Sequence, residues 1–235
     1  MNSTIKRTGW VILFSIAMGL LESAVVIYLR ELFYPDGFQF PLKIIPADIG
    51  RVEVYREAAT LIMLIALGIL AGKSKLQRFA YFVLAFAVWD LSYYVFLYLF
   101  ISWPPSLFTW DILFLIPVPW IGPVWAPCLL CLIMTAGSVY VIHKSQDPAY
   151  RIALLHWLLM IGGACCCVFS FMWDYLVFTA SQTDGWSFSS SQDLFKDLEA
   201  YLPATFHAGL FFTGFFLMCS SIFLNIYKSH THENS

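Results

Sequence analysis

Glu22, Asp90 and Asp174 interrupt long apolar runs, Glu57 enters one from its polar end, and His207 stands near the start of another. Carboxylates and an imidazole are the usual general acids and bases, and together they also suit a hard or borderline metal ion. A charge at the centre of a membrane span costs about 2.5–3.5 kcal/mol on insertion scales, so each such residue is a functional candidate by default. Spacing supplies their neighbours. Glu53, Glu57 and Thr60 share one helix face with Arg56 beside it, Asp90 shares a face with Tyr94, and Ser170 with Asp174, because residues three and four apart meet on a helix. Carboxylates crowded in low dielectric cannot all ionise without counter-charge, which implies bound cations, shared protons or pairing with Arg30, Arg51 and Arg56. The expected catalytic set is therefore Glu22, Glu57, Asp90, Asp174 and His207, with Arg56, Tyr94, Trp110 and Asp111 as substrate-binding groups. The alternative is structural: Glu22 and Asp90 fix helix packing by pairing with Arg56 or with Tyr and Trp donors, and Glu53 and Glu57 sit among lipid headgroups.

A divalent metal is left open as a cofactor, although no spacing argues for one. There is no Glu-x-x-His, His-x-x-x-His or His-Glu-x-x-His, and of five His two lie in the tail at His230 and His232. Cys128-Leu129-Leu130-Cys131 places a CxxC in the fourth apolar run, but no segment between the runs on that side carries a cysteine to relay electrons. Packing is the better reading for all six cysteines. Gly162 with Cys166, and Gly163 with Cys167, repeat small residues at the four-residue spacing that close helix contact in lipid requires. Trp89-Asp90, Trp110-Asp111 and Trp173-Asp174 repeat a dipeptide without a repeat around it. On a helix adjacent side chains diverge by about 100°, so each pair can aim its acid inward and its indole at lipid or a neighbouring helix. No phosphate-binding, dinucleotide, nucleophile-elbow or prenyl-diphosphate motif is present.

The elements that must position these groups follow from composition. Of 235 residues 60% are hydrophobic and 12% charged, with a mean hydropathy of +0.74; soluble domains are about 45–50% apolar and about 25% charged. The missing charge means that much of the surface faces lipid. Thirteen basic against fifteen acidic residues leave no cationic face for nucleic acid. A bilayer core of about 30 Å needs roughly 20 apolar residues in a helix, and six runs approach that length: Gly9 to Leu29, Ala58 to Gly72, Phe79 to Ser102, Ile121 to Ile142, Ile152 to Phe178 and Ala204 to Tyr227. The second is long enough only if Asp48 to Arg56 belongs to the same helix. The first continues past Glu22 without a small-x-small cleavage site and reads as a span, not a signal peptide. The fold expected is an all-α polytopic membrane bundle, a single domain over 1–235.

Two further elements complete it. Residues 105–120 hold about ten apolar residues boxed by Pro105, Pro117 and Pro119, which predicts a re-entrant or interfacial helix, with a Trp-rich interfacial loop as the alternative. Ser190 and Asp193 form a capping-box spacing, and Leu194, Phe195, Leu198, Tyr201 and Leu202 follow on one face of an amphipathic surface helix.

Orientation rests on Lys and Arg near the span ends. With the N-terminus cytoplasmic, Lys6, Arg7, Lys73, Lys75, Arg78, Lys144, Arg151 and Lys228 lie inside, against Arg30, Lys43, Arg51, Arg56 and Lys196 outside, which favours both termini in the cytoplasm of a bacterial inner membrane. Glu22, Glu57, Asp90, Asp174 and His207 then all fall in the outer half of the bilayer, at depths that allow them to meet. The function expected is a small membrane enzyme acting on a lipid-soluble substrate. A non-catalytic subunit or assembly partner of a larger membrane complex, a homo-oligomer, and a small transporter stand as alternatives. The inner halves of the spans hold few polar groups, which speaks against a through-path.

Overall fold

The computed structural model describes residues 3–35, 37–42, 46–182, 198 and 200–233. Six helices in it are long and apolar enough to cross a membrane: α1 (Ser3–Phe33), α2 (Ala47–Ala71), α3 (Lys75–Ile101), α4 (Trp125–Lys144), α5 (Leu154–Gln182) and α6 (Ala208–Glu233). The chain is an all-α, multi-pass membrane bundle. Asp48 to Arg56 is continuous with the second apolar run, as its length required. Between α2 and α3 the chain turns in three residues, because Ser74 accepts from the Gln77 N–H while the Gln77 side chain accepts from the Lys73 N–H. This is a close variant of the capping box. The same Gln77 amide donates to the Ser145 carbonyl and ties in the end of α4. Four serine hydroxyls inside the spans return their protons to their own helix, Ser15 to Val11, Ser23 to Leu20, Ser92 to Val88 and Ser170 to Cys167. Each of these four hydroxyls is thereby satisfied without water.

The helices form two packed groups. α1, α2 and α4 surround α3, while α5 pairs with α6. Small residues set both approaches. A Cβ on Gly163 would stand 2.6 Å from the Gly214 carbonyl oxygen, and one on Gly214 2.4 Å from that of Gly163, so Gly163 and Cys167 mark the α5 contact face as their spacing predicts. Gly162 faces open space. Gly19 of α1 meets Trp89 and Ser92 of α3 in the same way.

Residues 105–120 do not form the helix expected of them. Trp110–Phe114 and Trp120–Pro123 are the strands β1 and β2 of an antiparallel hairpin, with Trp110 opposite Pro123, Asp111 opposite Gly122, Ile112 opposite Ile121, and an irregularity before Phe114. Pro117 and Pro119 allow no helical hydrogen bonds across this stretch, and the apolar run they cut off is too short to span. Extended backbone at membrane depth survives only where protein covers it. Here each strand pairs with the other, Val124 donates to Thr109, Trp125 donates to Leu107, and the free Leu115 N–H is taken by Glu57. The fourth span consequently begins at Trp125, not at Ile121. β2 rests on α5, where a Cβ on Gly122 would meet the Phe171 ring at 2.8 Å. The hairpin thereby joins the two helix groups. Most of the expected amphipathic surface helix, including Ser190, Asp193, Leu194 and Phe195, lies outside the described residues.

Candidate functional site

The hairpin carries Asp111 into the protein, 2% exposed, among the ends of three helices. Arg30, in the last turn of α1, brings Nη2 within 3.5 Å of Asp111 Oδ1, and the Tyr94 hydroxyl of α3 donates to Oδ2 at 3.1 Å. The Arg30 guanidinium lies between two rings, its Cζ 3.8 Å from the Trp103 centroid and 4.4 Å from that of Phe38, a cation–π arrangement that offsets part of its desolvation. Its Nε and Nη1 are buried without a hydrogen-bond acceptor among the described residues. Burial pushes the Asp111 carboxyl up to about 6, with Arg30 and Tyr94 pulling it down.

On the same pocket wall, α2 contributes a second group. Arg56 donates from Nε to Glu53 at 2.8 Å and pairs through Nη1 with Glu22 of α1. Thr60 caps the Arg56 carbonyl at 3.0 Å. One turn away Glu57 accepts the Leu115 N–H at 2.8 Å through Oε2, and its other oxygen accepts no hydrogen bond from the described residues. Arg30, Glu53, Arg56, Glu57, Tyr93 and Asp111, with apolar neighbours that include Tyr34 and Leu198, line a cavity of about 130 Å³. The two arginines are drawn in by four carboxylates, Glu22, Glu53, Glu57 and Asp111. Formal charge on these six groups sums to −2, so the assembly must retain protons or a positive group of a ligand.

Sequence expectations meet this geometry unevenly. Glu57, Arg56 and Asp111 line the pocket, while Glu22 and Tyr94 stand behind the lining, paired with Arg56 and Asp111. Asp90 is one layer deeper and outside the lining; it accepts from the Cys131 thiol at 3.2 Å, so the CxxC serves as a packed donor beside a buried acid. Asp174 and His207 belong to the α5–α6 side. Asp174 accepts from the Tyr201 hydroxyl at 2.6 Å, the Ala204 N–H at 3.0 Å and the Thr205 hydroxyl at 3.2 Å, which fastens the chain entering α6. His207 packs its ring against Trp173 at 5.6 Å. Trp110 packs edge-on against Phe206, 6.4 Å between centroids. Of the four acids expected around a single cavity, Glu57 lines it, Glu22 pairs with Arg56 on its wall, and Asp90 and Asp174 are outside its lining. Arg30, Glu53 and Tyr93 complete the pocket without having been marked as its residues. In the sequence Arg30 is only one of three possible counter-charges, beside Arg51 and Arg56, and the hairpin, a long-range element, decides which carboxylate it meets.

Among the described residues, no three His, Cys, Asp or Glu side chains converge to hold a metal ion. Arg56 sits between Glu22 and Glu53 and supplies their counter-charge. Compared with protein-family models, with curated proteins and with solved structures, the chain matches none of them.

Proposed function

We propose that this multi-pass membrane protein is a small membrane enzyme that binds a lipid-soluble substrate in the pocket beneath the hairpin, with Glu57 as its acid–base group. The observation that carries the reading is the state of Glu57. One carboxylate oxygen is fixed by the Leu115 N–H and the other is left unengaged on a residue that lines the cavity. A group so held is oriented yet free to exchange a proton. Arg30, Tyr93 and Asp111 then position the polar end of the substrate. Arg56, clamped by Glu22 and Glu53, fixes α2 against α1 and keeps Glu57 in place. The companion reading, a non-catalytic subunit or a homo-oligomeric assembly partner, is favoured by the pairing of Glu22, Glu53 and Asp174, which gives those acids structural work.

The pocket lies at the membrane end opposite the two termini. We place the termini in the cytoplasm of a bacterial inner membrane, which puts the pocket in the outer half of the bilayer. Burial of Arg30 and Arg56 in ion pairs supports this assignment, because it removes two of the cations otherwise counted on the outer side. A C-terminal reporter active only in the cytoplasm tests it; activity only in a periplasmic reporter reverses the orientation.

The test of function is mass-resolved lipidomics of nanodiscs loaded with a total bacterial lipid extract and either wild type or Glu57→Gln. Conversion of a lipid species by the wild type and its loss in a folded Glu57→Gln supports the enzyme. Identical lipid profiles with the two proteins reject it and favour the subunit reading.

A further inference from the structure

The two helix groups are joined by the hairpin and touch again toward the termini, where Phe79 packs on Trp157 and Gly137 faces Ile222. There α3 and α4 on one side, α5 and α6 on the other, enclose a second cavity of about 280 Å³. Its lining carries no Asp, Glu, Lys or Arg; Phe79, Val83, Met134, Trp157, Met160 and Met218 give it an apolar wall. Polar atoms are few and neutral. His156 is buried, with Nδ1 lacking a hydrogen-bond partner among the described residues, and the buried Tyr140 hydroxyl lacks one as well. Ser221 is occupied by the His156 carbonyl at 2.8 Å, and Asn225 receives the Tyr150 hydroxyl. An imidazole and a phenol left unpaired in an apolar site each forfeit a hydrogen bond that a ligand would restore. Two such groups in one apolar cavity between helices match the composition of a small-molecule site.

We propose that this cavity binds a neutral lipid whose single head group, a hydroxyl or carbonyl, hydrogen-bonds to His156 and Tyr140 while its hydrocarbon lies between α3 and α6. The absence of charged lining sets the ligand class. An anionic or cationic head would be desolvated here with no counter-charge, whereas a neutral head asks only for the donor and acceptor that the two side chains offer. The methionines suit such a ligand, since their unbranched thioethers adapt to an irregular chain. This site is separate from the pocket at the hairpin and does not rest on the reading given to it.

The test is photolabelling in nanodiscs with a diazirine- and alkyne-bearing C16 fatty alcohol, run beside the same chain ending in a carboxylate and in trimethylammonium. Saturable labelling of Met134, Met160 or Met218 by the alcohol, competed by unlabelled hexadecanol and weaker for both charged probes, is the expected result. Tyr140→Phe, which removes one oxygen, should raise the half-saturating concentration about fivefold, the scale of one neutral hydrogen bond. His156→Ala should do at least as much, and Ala164→Phe, which fills the wall, should abolish labelling. Equal, non-saturating labelling by all three probes identifies the cavity as a seat for ordinary acyl chains and overturns the proposal. So does unchanged labelling in a folded Tyr140→Phe and His156→Ala pair, or labelling confined to other faces.

Discussion

Removing Arg56 alone should destabilise the bundle more than removing the whole charge cluster. Arg56 joins α2 to α1 by pairing with Glu22 and fixes Glu53 on its own helix, and the three side chains are 22%, 14% and 11% exposed. Breaking a fully buried ion pair by removing one partner costs about 3–5 kcal/mol, because a charge is left uncompensated. The residual exposure here lets solvent screen part of that, which brings the expectation for Arg56→Met to about 2–3 kcal/mol. Replacing all three by uncharged groups of similar shape, Glu22→Gln with Glu53→Gln and Arg56→Met, removes the charges together and should cost less than about 1.5 kcal/mol. The assay is equilibrium unfolding by SDS titrated into mixed micelles, followed by circular dichroism. If the triple variant is as unstable as Arg56→Met or more so, the cluster stabilises the fold by direct attraction and the desolvation argument is wrong.

Three other outcomes follow from the geometry. Gly214→Leu drives a side chain into the Gly163 carbonyl and should destabilise the α5–α6 pair by more than about 2 kcal/mol, whereas Gly162→Leu should be near neutral because that position is open; equal effects in the same unfolding assay would remove the packing argument. Burial holds the Asp111 carboxyl above its ordinary range, so its contribution to stability is complete below about pH 4 and is lost as pH rises through about 6. Wild type should therefore lose more stability across that window than Asp111→Asn does, and parallel pH profiles would count against it. Asp174→Asn weakens the bonds to Tyr201, Ala204 and Thr205, and limited proteolysis should cut before α6 at least several-fold faster; an unchanged rate would show that apolar packing alone holds this segment.

Membrane solvation imposes the clearest signal on the sequence, since lipid demands long apolar helices and excludes unpaired charge. The six spans and the continuation of α2 through Asp48 to Arg56 were legible for that reason, and the same exclusion of charge is what singled out Glu22 and Glu57 as candidates. Legible too was the close approach at Gly163 and Cys167, because small residues at helical spacing have a local cause. What the residues around 105–120 become is not a local matter. Their prolines forbid a continuous helix, but the buried hairpin relies on Glu57 from α2 to take the Leu115 N–H, and on Arg30 and Tyr94 to take Asp111. Those partners are remote along the chain, and no periodicity announces them. The tertiary structure alone therefore decided that Arg30 belongs to the pocket, that Asp174 and His207 do not line it, and that the two helix groups hold an apolar cavity between them. Local spacing fixes which side chains share a helix face; only packing decides which faces meet.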